Sequence, residues 1–362
     1  GCGFGVGMRP GQRVYSIDHL RGILAATIMV FHYIGWSFPG WMSPDGLLSV
    51  LGYYGVAAFF VISGISLTIA YDGRLTHWSE VLQFFNRRVF RIVPLYWATA
   101  SAAIFLSGAE ALGLTWKDLV ANYSLSFSLG LGRSFVTGGW SIGNESFFYL
   151  LFPGLFWLIC RSVRWALAVF AASAVLIVLW AFAVVPSGLN DSERWWHYIS
   201  NWNQLHFFVA GLVMGRYIKP ASLSRGVSYG VLALAMALLA AANVTTRGDL
   251  VEHWHRMFLS LATLLLVLSV YQINWQSSAL FGRILAFLGL ISYSLYLLHP
   301  VVRDAVTIVG TRIVISPMTV LIVSVILTVF SSWLSYKLIE TPGINLGRLL
   351  ERSLSRRAVT AV

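Results

Sequence analysis

Residues 48–70 read LSVLGYYGVAAFFVISGISLTIA, a run of 23 residues without a charged side chain. A helix that crosses the hydrocarbon core of a bilayer needs about 20 mostly apolar residues, so this run is long enough to span a membrane. Nine further apolar runs of similar length lie along the chain, separated by charge clusters and turn residues. The pattern predicts an all-α polytopic membrane protein with about ten transmembrane helices, at 17–36, 48–70, 91–108, 140–160, 165–185, 204–218, 226–243, 256–273, 284–302 and 313–335.

The composition of the 362-residue chain supports this class. Hydrophobic residues make up 57% of it, charged residues only 11%, and the mean hydropathy is +0.74. A soluble domain has about a quarter of its residues charged, so a cytosolic enzyme and a disordered chain are excluded. Two cysteines, Cys2 and Cys160, are too few and too far apart for a disulfide framework or a metal site.

The net charge of +11 comes from 25 Lys and Arg against 14 Asp and Glu. The basic residues lie between apolar spans, which favours positive-inside orientation over nucleic-acid binding. With a cytoplasmic N-terminus, 18 of the 25 basic residues fall on the inner side. We therefore predict both termini in the cytoplasm of a multi-pass inner-membrane protein. Its parts are an N-terminal tail at 1–14, a transmembrane domain at 15–340, and a basic tail at 341–362 that contacts the anionic inner leaflet.

The first span contains ionisable residues, which are expensive inside a membrane and usually mark a site. Arg21 and His32 are 11 residues apart, three helical turns plus about 20°, so both lie on one stripe about 16 Å apart along the axis. Asp18 lies near the same stripe and His19 on the opposite side. The functional interpretation is an anion anchor at Arg21 and a proton acceptor at His32. The alternative is that Arg21 reaches the headgroups and His32 bonds a backbone carbonyl.

Glu145 is the second ionisable residue inside a span, and its predicted depth below the outer surface matches that of His32. A carboxylate paired with a histidine fixes the tautomer and stabilises the imidazolium. Depth does not give the direction of either side chain, so an unrelated buried acid bonded to Asn144 or a Trp indole stays open.

Two further clusters are candidates. Arg87, Arg88 and Arg91 stand at the inner end of the third span, and arginine forks suit phosphate; positive-inside charge alone is the alternative. Ser292, Tyr296 and His299 recur at helical spacing in the ninth span, where polar residues also hold helices together.

Taken in order, these motifs resemble the acyltransferase-3 family of bacterial membrane O-acyltransferases, over about Tyr15 to Pro342. The matching segments are the Arg21-x10-His32 signature, Phe59-Phe-Val-Ile-Ser-Gly64, Arg87-Arg88-x-x-Arg91-Ile-x-Pro94-x-Tyr96-Trp97, Trp140-Ser141-x-x-x-Glu145-x-x-Phe148-Tyr149-x-x-x-Pro153, Ile291-Ser292-Tyr293-Ser-x-Tyr296-x-x-His299 and Glu340-x-Pro342.

The resemblance implies transfer of an acyl group, usually acetyl, from cytoplasmic acyl-CoA to a hydroxyl of a carbohydrate or glycoconjugate. By the resemblance His32 is the essential histidine, and the carboxylate argument above adds Glu145, so His32 and Glu145 are the expected catalytic residues. The donor is expected at Arg21, Arg88, Arg91 and Tyr96, and the oxyanion or the substrate at Ser141, Tyr296 and His299. Acyl-CoA (acetyl-CoA) is the expected co-substrate, and no metal is expected.

Acyl transfer to a hydroxyl needs a base, and a histidine with a pKa of about 6.5 can serve. We expect direct attack with His32 as general base; an acyl-imidazole intermediate is the kinetic alternative. A glycolipid or polysaccharide-precursor transporter or flippase without covalent chemistry is the rival function, and a scaffold is a weaker third. Membrane lipids and a polysaccharide-synthesis complex are expected partners, and nucleic acid is not.

Overall fold

The structure is a computed structural model that describes residues 14–43, 46–185, 189–241, 248–276, 279–313 and 315–360, with side chains up to residue 353 in the last range. The first 13 residues of the predicted N-terminal tail lie outside these ranges. The protein is all-helical, 83% helix, and has no strand in the described ranges. Its α-helices in the described ranges are α1 (Tyr15–Ser37), α2 (Leu47–Tyr71), α3 (Trp78–Ser107), α4 (Trp116–Ser124), α5 (Gly139–Arg161), α6 (Val163–Leu179), α7 (Asp191–Tyr198), α8 (Asn201–Tyr217), α9 (Arg225–Ala240), α10 (His253–Ile273), α11 (Leu280–Leu290), α12 (Ser292–Ile313), α13 (Pro317–Ser335) and α14 (Thr341–Thr360).

The predicted class is confirmed: within the described ranges, six or seven helices are long and apolar enough to cross a membrane. Each of the ten predicted spans overlaps helical structure, but three of them are too short or too polar to meet that standard. The helices α8 and α9 have only 17 and 16 residues, and the charged residues of α1 lower its hydropathy. The count of ten and the cytoplasmic termini stay predictions. The six clear spans are α2, α3, α5, α6 with its extension to Val184, α10, and α13 continued to Ser353; the seventh is the pair α11 and α12.

The predicted single helix at 284–302 is wrong in one respect, because the chain breaks between α11 and α12 at Ile291. The end of α11 is pressed against α1: a Cβ added at Gly289 would stand 2.2 Å from the carbonyl oxygen of Asp18. The hydroxyl of Ser292 donates to the Gly289 carbonyl at 2.9 Å. This bond satisfies a carbonyl at the end of the helix, so the break leaves it with a partner.

The chain divides into two compact units. The first comprises Gly1–Gly73 and Leu150–Ser292, and the second Arg74–Tyr149 and Tyr293–Val362. In the first unit, α2 and α8 pack backbone to backbone through glycine. A Cβ at Gly211 would stand 2.1 Å from the Val61 carbonyl oxygen, and one at Gly64 would stand 2.4 Å from that of Phe208. Small residues permit this close approach between membrane helices.

In the second unit, α14 packs against α3 in the same way. A Cβ at Gly343 would lie 2.8 Å from the Phe90 carbonyl oxygen, and one at Gly347 would lie 3.0 Å from the Phe90 Cβ. The predicted basic tail therefore contains a helix packed on the helix that carries the arginine motif; its position at the inner leaflet stays a prediction.

Candidate active site

His32 lies near the C-terminal end of α1 in the first unit, and its side chain is half-buried. The imidazole stacks on Trp36, one turn later, with ring centroids 5.0 Å apart and planes 13° apart. The ring also forms a hydrogen bond with the backbone carbonyl of Ile28. Since a carbonyl only accepts, the ring nitrogen in that bond carries a proton, which favours one tautomer of the neutral imidazole.

Arg21 lies on the same uninterrupted helix, as predicted, about 16 Å from His32 along the axis. Its guanidinium Nη1 is 3.9 Å from the Asp18 carboxylate, and the two side chains are 28% and 22% exposed. An ion pair this long and this exposed contributes little, so it holds Arg21 loosely. His19 points elsewhere, as expected, and packs edge-on against Trp275 with centroids 5.2 Å apart.

The arginine motif lies in the second unit on α3, and its three arginines have different partners. Arg87 forms a bidentate ion pair with Glu351 of α14, with Nε–Oε1, Nε–Oε2 and Nη2–Oε2 distances of 3.0, 3.1 and 2.9 Å. The Asn86 amide donates to the Gly347 carbonyl at 2.9 Å and to the same carboxylate at 3.2 Å. Glu351 therefore occupies the fork of Arg87, which leaves Arg88 and Arg91 as the donor-binding candidates.

Arg88 lies over two aromatic rings, with its guanidinium carbon 5.8 Å from the Phe84 centroid and 5.6 Å from that of Tyr149. Such contacts hold a guanidinium plane in one orientation. Arg91 is within electrostatic range of Tyr293, whose hydroxyl donates to the Ile92 carbonyl at 2.8 Å.

Glu145 is half-buried on α5, and one of its carboxylate oxygens accepts a hydrogen bond from the Tyr149 hydroxyl. Tyr149 thus connects the predicted catalytic carboxylate with the ring face on which Arg88 rests. The sequence analysis gave Tyr149 no role, although its i+4 spacing from Glu145 puts both on one face of a helix. The predicted pairing of Glu145 with His32 stays a prediction.

The structure brings Ser141, Tyr296 and His299 together in the second unit. The two hydroxyl oxygens are 2.9 Å apart, and both lie within 3.1 Å of the Gly138 carbonyl oxygen. Two hydroxyl protons serve these contacts, so donation to an oxyanion requires one hydroxyl to turn. The His299 ring centroid is 6.0 Å from that of Tyr296, and its Nδ1 is 3.2 Å from the Leu295 carbonyl oxygen.

Tyr96, a predicted donor-binding residue, is fully buried on α3, and its hydroxyl donates to the Asn122 side-chain oxygen at 2.8 Å. The Asn122 amide in turn donates to the Asp118 and Arg133 carbonyls at 2.7 and 2.8 Å. Hydrogen bonds from the backbone N–H groups of Thr115 and Arg133 hold the pKa of Asp118 at about 2. In this structure Tyr96 therefore holds the segment between α3 and α5 against α3 through Asn122. Its part in donor binding stays a prediction.

Two further buried ionisable residues had no role in the sequence analysis. Glu340 is 2% exposed, ends the π-helical turn Tyr336–Glu340, and accepts a hydrogen bond from the Ser294 hydroxyl. Its place in the last family-like motif was a signal that could have marked it, and π-helical turns often occur at functional sites.

Arg256 in the first unit is fully buried. Its guanidinium carbon lies 5.4, 4.7 and 5.2 Å from the ring centroids of Tyr54, Tyr198 and Phe207, and Nη2 is 3.3 Å from the Asn203 side-chain oxygen. Arg256 was not predicted as a buried residue, because it is the fourth residue of a helix whose start the pattern placed at residue 256. No three His, Cys, Asp or Glu side chains in the described ranges are grouped so that they could hold a metal ion.

Several known proteins are similar to this chain over most of its length. OatA, an O-acetyltransferase of Staphylococcus aureus strain NCTC 8325, is 24% identical over 91% of this chain and 58% of its own length. "Putative membrane-bound transacylase BcsY" of Komagataeibacter xylinus is 26% identical over 80% of this chain and 73% of its own. "Putative O-acetyltransferase SACOL0978" of Staphylococcus aureus strain COL is 24% identical over 90% of this chain, which spans 56% of that relative. No solved structure matches.

The model of the acyltransferase-3 family, described as an acyltransferase domain, matches residues 14–337. This range includes α1 with Arg21 and His32, the arginine motif on α3, and the polar residues of α5 and α12. The family resemblance drawn from the motifs is thereby confirmed, and the chain belongs to the acyltransferase-3 family of membrane acyltransferases.

Proposed function

We propose that this protein transfers an acetyl group from cytoplasmic acetyl-CoA to a hydroxyl of a carbohydrate or glycoconjugate, with His32 as general base. Membership of the family and the O-acetyltransferase names of its relatives support acyl transfer. The observation that carries the assignment of the base is the His32 ring itself, tied to Ile28 through one nitrogen and stacked on Trp36. A neutral imidazole has one nitrogen without a proton, so such a ring is able to take the proton of the attacking hydroxyl.

The reaction forms a bond between the acceptor oxygen and the acetyl carbonyl carbon, and breaks the bond from that carbon to the sulfur of CoA. His32 takes the hydroxyl proton and returns it to the thiolate that leaves. Arg88 and Arg91 bind the phosphates of the donor, because guanidinium forks match phosphate oxygens. Glu145, whose carboxylate accepts a hydrogen bond from Tyr149, is the second residue that we propose to be catalytic.

The hydroxyl pair of Ser141 and Tyr296 supplies donors for the oxyanion once one hydroxyl turns away from the Gly138 carbonyl. His299 lies next to this pair and orients the Tyr296 ring. The oxyanion is transient, so the resting hydrogen bonds to Gly138 keep both hydroxyls satisfied between turnovers.

The test uses membranes that contain the protein, incubated with acetyl-CoA labelled in the acetyl group, with label measured in the glycan fraction. We expect His32→Ala to reduce transfer by about a hundredfold to ten-thousandfold, since a general base contributes about 10²–10⁴ to the rate. His253→Ala, at an exposed histidine, is the control and should transfer normally. Normal transfer by His32→Ala at wild-type membrane levels would remove the catalytic assignment. Absence of any label from the wild type would count against acetyl transfer itself.

A further inference from the structure

The helix α14 lies beside the arginine motif, and its attachment is specific. The Arg87–Glu351 ion pair joins the two helices at one level, and the glycine contacts of Gly343 and Gly347 with Phe90 join them at the next. Residue numbers rise along α14 as they fall along α3, so the two helices are antiparallel. Both helices belong to the second unit.

The contact stripes define which side chains flank this helix pair. On α3 the residues in contact are Asn86, Arg87, Phe90 and Pro94, and at about 100° per residue Arg91 stands roughly 85° past the centre of that stripe. On α14 the stripe runs through Gly343, Gly347 and Glu351, and Arg348 stands roughly 100° past its centre.

Because the helices are antiparallel, these two rotations lead to the same side of the pair. Arg91 and Arg348 also lie at nearly the same level, since Phe90 contacts Gly347. Axes of packed helices are about 8–10 Å apart, so two arginine side chains that project from the same flank reach a common ligand. Arg348 is exposed, and Arg91 is half-buried.

The negative charge of a CoA donor favours a further arginine at this position. A CoA thioester carries a diphosphate and a 3′-phosphate, roughly four negative charges at neutral pH. Of the arginine motif, Arg87 is already neutralised by Glu351, which leaves two guanidinium groups. The carboxyl groups of Glu145 and Glu340 are also within electrostatic range of Tyr293, beside Arg91.

We propose that Arg348 of α14, together with Arg91 of α3, forms a phosphate-binding position that selects the 3′-phosphate of a CoA donor. This inference rests on the proposed function, because it assigns a part of that donor to a residue outside the arginine motif. In this arrangement the Arg87–Glu351 ion pair joins α14 to α3 and so keeps Arg348 beside Arg91.

The experiment measures binding of CoA and of 3′-dephospho-CoA by calorimetry, with the full chain in nanodiscs of phosphatidylcholine. We expect Arg348→Gln to raise the Kd for CoA about tenfold and to leave the Kd for 3′-dephospho-CoA unchanged, because the variant removes one charge-assisted bond to a phosphate. Arg348→Lys should fall between the two, since it keeps the charge and loses the fork. Arg225→Gln, at an exposed arginine of the first unit, is the matched control and should bind both ligands normally.

A second pair of variants tests whether the Arg87–Glu351 ion pair holds α14 in place. Glu351→Gln should weaken CoA binding severalfold because it loosens α14, and the charge swap Arg87→Glu with Glu351→Arg should restore most of it. Such a rescue is not expected from a purely local loss of charge.

Three results would overturn the inference. The first is equal loss of affinity for CoA and 3′-dephospho-CoA in Arg348→Gln. The second is no loss at all while the wild type binds CoA, which leaves the proposed function intact. The third is an effect that appears only when the nanodiscs contain phosphatidylglycerol, which assigns Arg348 to a lipid phosphate. A wild type that binds neither ligand would count against the proposed donor, a distinct outcome.

Discussion

The contact between α1 and α11 makes a sharp prediction, because two backbones touch there without room for a methyl group. A Cβ at Gly289 would stand 2.2 Å from the Asp18 carbonyl oxygen, against the 3.4 Å at which ordinary van der Waals contact begins. Gly289→Ala must therefore move the helices apart by about 1.2 Å, since neither backbone can turn aside. Overpacking of this kind costs about 1–3 kcal/mol of unfolding free energy.

The same shift acts on the site, because α1 holds both Arg21 and His32. A displacement of about 1 Å in a catalytic group lowers the rate by about a hundredfold. We therefore expect Gly289→Ala to lose about 1–3 kcal/mol in denaturant unfolding and most of its acetyl transfer.

Gly35→Ala on α1 is the matched control. The nearest atom to its added Cβ is a Met42 side-chain carbon at 3.9 Å, and alanine favours the helix by about 0.5–1 kcal/mol. Its stability should equal or exceed that of the wild type. If Gly289→Ala unfolds and transfers as Gly35→Ala does, the tight contact between α1 and α11 is refuted.

Three other changes have measurable outcomes. Tyr149→Phe removes the hydroxyl that donates to Glu145, so kcat for acetyl transfer should fall about tenfold with little change in the KM for acetyl-CoA; a change confined to KM would contradict this role. The pKa of Asp118 is lowered from 3.8 to about 2, so its contribution to folding is present above pH 4 and is lost as the pH falls through 2. Asp118→Asn should therefore lower the thermal midpoint at pH 7. In a thermal-denaturation series, the difference from the wild type should shrink as the pH approaches 2. Arg256→Lys replaces a plane stacked on three rings with a point charge and should lower the unfolding free energy by about 2–3 kcal/mol; a loss under 0.5 kcal/mol in urea unfolding would show that the stacking contributes little.

The helical class could be predicted from the sequence because the bilayer imposes a length on each apolar run. The ends of the helices were harder to predict where packing between helices determines them. The break at Ile291 lies inside a continuous apolar pattern, and the close contact of Gly289 with the distant backbone of Asp18 beside it is not visible in any local pattern. The lengths of the short helices α8 and α9 likewise could not be predicted without knowing the helices that pack against them.

The same distinction applies to the site: relations within one helix could be predicted, and contacts between distant segments could not. The stripe shared by Arg21 and His32 could be derived from helical geometry, because both residues are on one helix. The 2.9 Å contact between Ser141 and Tyr296 joins residues 155 positions apart, and only the resemblance to a family suggested a common role. Arg87 was grouped with Arg88 and Arg91 because the sequence does not show that Glu351, 264 positions later, occupies its fork.

Two imidazoles in this protein are tethered in the same manner. In His32 and in His299 one ring nitrogen faces the carbonyl of the residue four positions earlier, Ile28 or Leu295. A carbonyl in this position favours the tautomer that carries the proton on the facing nitrogen, so the helix that holds each ring also biases its tautomer.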